Sequence, residues 1–223
     1  MLDQIKGGVV VSCQALPDEP LHSSFIMGRM ALAAKIGGAV GIRAQGKDDI
    51  LEIRKTVDLP VIGIVKRNYA DSDIYITPTK KEVDELLETG CEMIALDASK
   101  RDRPNGEKLA DLIRYIKAHN VEVMADCSTY EEAVTAAELG ADCISTTLCG
   151  YTPYSELIDG PDYDLIARLV TDLPIPVIAE GKINTPEELQ EVFKRNCYAA
   201  VVGGAITRPQ NITARFVRAL DDM

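Results

Sequence analysis

Three side chains of complementary acid–base character close apolar stretches of this sequence. They are Lys66 in PVIGIVKR (60–67), Asp126 in EVMADCS (122–128) and Glu180 in PVIAEGK (176–182). An ammonium near two carboxylates can move a proton to and from carbon, because one group takes the proton while another returns it. A lysine so placed could also attack a carbonyl as a Schiff-base former. Any one of the three would read as a strand-end charge paired for structure. Together, with Arg43 close by in AVGIRAQ (39–45), they favour a catalytic cluster, since buried ions are costly unless every member is satisfied. Gln14, Asp97, Thr146 and Thr147 close other apolar runs and complete the polar set.

A second group suits an anion. Gly181 and Lys182 follow Glu180, and the segment GGAITRP (203–209) supplies Gly203, Gly204 and Arg208 just before the last helical stretch. Small residues let backbone N–H groups approach an anion closely, and an arginine adds charge and a forked donor. The alternative is that Gly203 and Gly204 only permit a tight turn. The same placement after two consecutive strands favours a phosphate.

These residues need elements to hold them. The runs 7–14, 39–45, 60–67, 92–99, 122–128, 143–150, 176–182 and 199–207 are apolar and β-branched until their polar ends, as in buried parallel strands. Alternation puts Ile62, Ile64 and Lys66 on one face, Met124 with Asp126, and Ile178 with Glu180. Helical patterns separate the strands. TKKEVDELLETG (79–90) and NGEKLADLIRYIKAHN (105–120) carry apolar residues at three- and four-residue steps. TYEEAVTAAELG (129–140) and TPEELQEVFKRN (185–196) open on threonine caps followed by acids. Met27, Met30, Leu32 and Ile36 read as another helix core face. Eight strand–helix units, with no glycine-rich GxGxxG turn after the first strand, predict a closed (β/α)₈ barrel and not an open doubly wound sheet. No linker or composition shift interrupts residues 1–223, so one domain is expected.

In such a barrel, catalytic groups sit at the C-terminal strand ends, and Lys66, Asp126 and Glu180 would share one layer from strands three, five and seven. Loop 150–162, with Tyr151, Thr152 and Tyr154, is placed to cover that mouth. Composition narrows the partners. Of 223 residues, 46% are hydrophobic and 26% charged, with a net charge of −11 that disfavours nucleic acid and anionic membrane. No apolar run reaches membrane-spanning length and no signal sequence opens the chain, so a soluble cytoplasmic protein is expected. Six scattered cysteines without a CxxC pair read as reduced core thiols. His22 and His119 are the only histidines, and neither closes a strand, which argues against a catalytic metal. The acidic runs at Asp71 to Asp73 and at Asp221 and Asp222 read as solvated surface and tail.

The segments GGVVVSCQA (7–15), GIRAQG (41–46), PVIGIVKR (60–67), MADCST (124–129), TTLCGYT (146–152), VIAEGKI (177–183) and VVGGAITRP (201–209) together resemble the bacterial N-acetylmannosamine-6-phosphate 2-epimerase family. The resemblance runs over nearly the whole chain. It implies interconversion of two phosphorylated N-acetyl amino sugars in sialic acid breakdown, with Lys66 and Glu180 as the catalytic pair. It also implies that Gln14, Arg43, Asp126 and Thr147 bind the sugar. The phosphate would fall to Arg208 and the loops carrying Gly181, Lys182, Gly203 and Gly204, in a homodimer.

The chemistry asks for no metal and no cofactor. The C2 proton of an open-chain aldose is acidified by the aldehyde, so a base, an acid and donors for the developing enolate suffice. Lys66 as base requires its neutral form, favoured by Arg43 and desolvation and opposed by Asp126 and Glu180. Lys66 and Glu180 exchange roles in the reverse direction; one residue performing both transfers is the other arrangement. Two rivals remain: a Schiff-base aldolase using Lys66, and a non-catalytic sugar-phosphate-binding barrel.

Overall fold

The computed structural model describes residues 1–220. Eight parallel strands close into a barrel in sequence order: β1 (Val9–Cys13), β2 (Gly41–Gln45), β3 (Val61–Ile64), β4 (Met93–Asp97), β5 (Glu122–Asp126), β6 (Cys143–Ser145), β7 (Val177–Glu180) and β8 (Ala199–Val202). The closing seam pairs Val10 of β1 with Val201 of β8. Helix α1 (Leu2–Ile5) precedes the first strand. The helices outside the ring are α2 (Ser24–Ile36), α3 (Lys47–Thr56), α4 (Lys80–Leu87), α5 (Leu109–Ala118), α6 (Tyr130–Glu138), α7 (Tyr163–Asp172) and α8 (Pro186–Lys194); α9 (Gly204–Thr207) and α10 (Pro209–Arg218) follow β8. None of the helices is long and apolar enough to cross a membrane.

Side-chain alternation divides the core. Ile62, Ile64, Met93, Met124, Ile178 and Val201 belong to one apolar cluster, joined by Ile5 of α1. The opposite strand faces pack on the helices through residues such as Ile42, Ile94, Val123 and Ile144. Thr129 and Thr185, anticipated as caps, do cap, and Thr79 joins them. Thr79, Thr129 and Thr185 each form a reciprocal capping box with Glu82, Glu132 and Glu188, which satisfies backbone N–H groups that a helix start leaves open.

Two details depart from expectation. The third apolar run is strand only to Ile64; beyond it, residues 66–77 fold back as a small hairpin in which Lys66 bridges Ile76. Ile36 is not core. It ends α2 and is 80% exposed, because the helix buries its Met27, Gly28 and Ala31 face instead. All six cysteines are buried and unpaired. Asp221 and Asp222 lie outside the described residues.

Candidate active site

Arg43 is the cation that organises the strand ends. It is 1% exposed, and its Nη2 donates to Asp126 Oδ2 at 2.5 Å while Nη1 donates to Asp126 Oδ1 at 3.0 Å and to Glu180 Oε2 at 2.7 Å. A forked guanidinium can bridge two carboxylates in this way; a lysine could not. Thr147 closes the arrangement, with its hydroxyl 2.7 Å from Asp126 Oδ1 and 3.0 Å from Glu180 Oε2, and Ser145 lies 2.7 Å from that hydroxyl. The strand ladder explains the meeting: Asp126 on β5 registers with Ser145 on β6, so the inward positions of β5, β6 and β7 converge.

Glu180 is polarised within this group. Arg43 donates to Oε2, and the Ser145 and Thr147 hydroxyls lie within hydrogen-bond distance of it, the single Thr147 proton going either there or to Asp126 Oδ1. Among the described residues none donates to Oε1, which is left to the cavity. Burial pushes the Glu180 carboxyl up to about 7; the neighbouring Arg43 opposes the rise and Asp126 adds to it. Lys66 stands apart from the cluster and forms no ion pair with a carboxylate among the described residues. Burial brings it down to about 8, helped by Arg43 and Arg208 and opposed by Glu180 and Glu19. The hairpin holds its backbone: Arg67 N donates to Tyr75 O at 2.9 Å and Thr77 N to Val65 O at 2.8 Å.

Lys66 and Glu180 line one cavity of ≈ 1360 Å³ together with Gln14, Arg43 and Thr147. The same cavity reaches Gly181, Lys182, Gly203, Gly204 and Arg208, so the two groups of residues anticipated for chemistry and for an anion share one space. Gln14 is 9% exposed, with its Nε2 donating to Ser12 Oγ at 2.7 Å and its Oε1 buried without a partner. Gly181 has φ +99, and a side chain there would press on the Thr146 carbonyl at 3.3 Å, so the turn after β7 is built for glycine.

Several anticipated residues are engaged elsewhere. Asp126 does not line the cavity: it is fully buried, and Arg43 and Thr147 occupy both of its oxygens. The cation between the carboxylates is therefore Arg43 and not Lys66. Lys182 Nζ donates to Ile158 O at 2.6 Å and lies over the Tyr151 ring, held by the loop it was expected to work beside. Of the loop residues only Tyr151 reaches the mouth; Tyr154 donates to Glu132 Oε1 at 2.6 Å and Thr152 bonds Ser128. Asp97 is fully buried and caps its own loop through Ser99 N and Arg101. His22 and His119 each bond a nearby backbone carbonyl, of Ala15 and Tyr115.

Sequence reasoning missed Ser145, Glu19 and Tyr75. Ser145 was legible, since it alternates with Cys143 and Thr147. Glu19 carried no local signal: its partner is Arg208, 189 residues away. Tyr75 reaches the mouth only because the hairpin folds back.

Comparison with known proteins finds relatives over nearly the whole chain. A family profile described as "Putative N-acetylmannosamine-6-phosphate epimerase" matches residues 27–222. A protein of Clostridioides difficile described as "Putative N-acetylmannosamine-6-phosphate 2-epimerase" is 67% identical, covering 99% of each chain. A Staphylococcus aureus relative with that description is 57% identical, covering 96% of this chain and 98% of its own. The solved N-acetylmannosamine-6-phosphate 2-epimerase of Clostridium perfringens is 63% identical and superposes with a TM-score of 0.97, covering 98% of this chain and 96% of that one. A thiamine phosphate pyrophosphorylase from Pyrococcus furiosus, 21% identical with a TM-score of 0.61 over 92% of this chain and 89% of that one, shares the fold alone. With profile, relatives and barrel in agreement, the chain belongs to the N-acetylmannosamine-6-phosphate epimerase family.

Proposed function

We propose that this chain is an N-acylglucosamine-6-phosphate 2-epimerase, interconverting N-acetylmannosamine 6-phosphate and N-acetylglucosamine 6-phosphate as one domain over residues 1–223. The observation that carries the reading is a pair of groups brought towards neutrality from opposite sides. Lys66 is brought down to about 8 and Glu180 up to about 7, and both line one cavity. A base and an acid poised near the working pH are what reversible removal of a carbon-bound proton requires.

In one direction, neutral Lys66 removes the C2 proton of the open-chain sugar and Glu180 returns a proton on the other face from Oε1. The roles reverse on the way back. Negative charge passes to the C1 oxygen in the enolate, and the fixed charge of Arg43 stabilises it electrostatically. Because the aldehyde acidifies C2, the step needs no metal or organic cofactor. Gln14, Arg43 and Thr147 would contact the sugar, with Asp126 acting through its grip on Arg43. Arg208 and the glycine turns at Gly181, Gly203 and Gly204 would take the phosphate, joined by Lys182 once it releases Ile158. The setting would be cytoplasmic sialic acid and amino-sugar breakdown.

A homodimer is part of the proposal. Helix α10 buries none of its residues, yet it carries Phe216 at 76% exposure and Val217, with Leu220 just beyond, an apolar group suited to a second copy. The deciding experiment is proton NMR of the protein with N-acetylmannosamine 6-phosphate in heavy water. Deuterium should appear at C2 as the gluco epimer accumulates; epimer formed with C2 unlabelled, or no epimer, would overturn the reading.

A further inference from the structure

Arg208, the cation assigned above to the phosphate, is already gripped. Its Nε donates to Glu19 Oε1 at 2.6 Å and its Nη2 to Glu19 Oε2 at 3.1 Å. This is a two-point contact along one edge of the guanidinium. Glu19 belongs to the loop between β1 and α2 and is itself anchored: Leu16 N donates to Oε2 at 2.8 Å and Gln210 Nε2 to Oε1 at 3.3 Å. The two side chains are 16% and 30% exposed, so the contact is partly shielded from water and better defined than an ordinary surface ion pair. With the Nε–Nη2 edge occupied, both Nη1 hydrogens and the second Nη2 hydrogen remain as donors, and Nη1 is the nitrogen nearest the glycine turn. It lies against the turn after β8, where a Cβ on Gly204 would stand 3.7 Å from it.

A carboxylate beside an anion site looks counterproductive, since it repels the phosphate and cancels part of the arginine's charge. Direction offers the compensation. A free arginine side chain has large rotamer freedom, which a ligand must quench on binding; a preset fork has already lost it. We infer that Glu19 is a positioning residue for the substrate phosphate. It holds Arg208 by one edge so that Nη1 faces the Gly203–Gly204 turn, and it ties the loop after β1, which carries Gln14, to the anion end of the cavity. The inference rests on Arg208 being a phosphate ligand.

The test compares wild type with Glu19→Gln, Glu19→Asp, Arg208→Ala and the Glu19→Gln/Arg208→Ala double variant. The readouts are KM and kcat for N-acetylmannosamine 6-phosphate, the inhibition constant of inorganic phosphate, and the melting temperature. Glutamine can still accept from Leu16 N, but its amide N–H₂ opposes the Arg208 donors, so the loop anchor survives and the grip does not. Glu19→Gln should raise KM and the phosphate inhibition constant together by roughly 10-fold or more, the worth of one oriented charge-assisted hydrogen bond. Its kcat should stay within about threefold, since Glu19 is the least of the influences on Lys66 and the interactions lost are chiefly those of binding. Glu19→Asp should recover part of the loss. In the Arg208→Ala background the sign should reverse: removing the now unpaired carboxylate lowers KM, because only its repulsion of the phosphate remains. If Arg208→Ala leaves KM and phosphate inhibition unchanged, the phosphate assignment fails and the inference falls with it. If Arg208→Ala weakens both while Glu19→Gln matches wild type, the role of Glu19 alone is overturned. A Glu19→Gln variant losing kcat and melting temperature in step, with the phosphate inhibition constant unmoved, would also overturn it and leave a purely structural residue.

Discussion

Arg43, on β2, and Lys66, just beyond the end of β3, enter the barrel mouth side by side and are both largely buried, yet their surroundings differ. Arg43 is bridged to Asp126 and Glu180 and is held further above the ordinary arginine range by those carboxylates, despite its burial. Lys66 has no carboxylate partner among the described residues, and burial with two nearby arginines brings it down to about 8. Desolvation acts on both; the partner decides the outcome. A buried cation with well-placed anions is locked in its charge, whereas one without them becomes able to give up its proton. The mouth thus holds one cation fixed in its charge and one whose proton is held less tightly; under the proposed mechanism the first serves electrostatics and the second proton transfer.

The largest expected effect breaks the labile side. Lys66→Ala should lower turnover by roughly 10²–10⁴-fold, followed as the rate of C2 exchange by NMR. Lys66→Arg should fail as badly, because a guanidinium keeps its proton at any working pH; near-normal exchange in either variant would remove Lys66 from the mechanism. The locked side should break in a different currency. Arg43→Met leaves Asp126 and Glu180 facing each other without a cation and should destabilise the fold by about 3–5 kcal/mol in urea titration, as well as impairing catalysis. Stability within about 1 kcal/mol of wild type would mean the surrounding hydroxyls suffice without Arg43.

The pH profile sharpens the contrast. Proton exchange in either direction needs one proton shared between Lys66 and Glu180. Below about 7 both groups are protonated and no base remains; above about 8 both are bare and no acid remains. A plot of kcat/KM should therefore be bell-shaped with limbs near these values, which belong to the pair jointly. The smallest effect expected is that of Thr147→Val. Losing a donor to Glu180 Oε2 should move the acid limb upward, and Thr147→Ser should restore it. A limb that stays in place would assign Thr147 to Asp126 alone.

Much of this arrangement was legible in the chain. The alternation of apolar runs with capped helices predicts the barrel, and the polar endings of those runs place Lys66, Arg43 and Glu180 at its mouth. Periodicity is local, and local patterns report which face a residue occupies. They do not report which partner meets it there. For that reason the sequence grouped Lys66 with the two carboxylates around the mouth, and only the structure makes Arg43 the cation that bridges them. It also left Asp126 as a sugar ligand, whereas both its oxygens are taken.

The chain's local patterns were thus enough for the fold, for the barrel end at which the polar strand-end side chains gather and for the faces they occupy, because strand alternation and helix capping depend on neighbours a few residues away. Only tertiary closure decided which cation is neutralised and which is left labile, that residues 66–77 fold back behind Lys66, and that Glu19 reaches Arg208. Those outcomes depend on distances between side chains far apart in the chain, and the strength of each interaction depends on how much water the closed structure excludes.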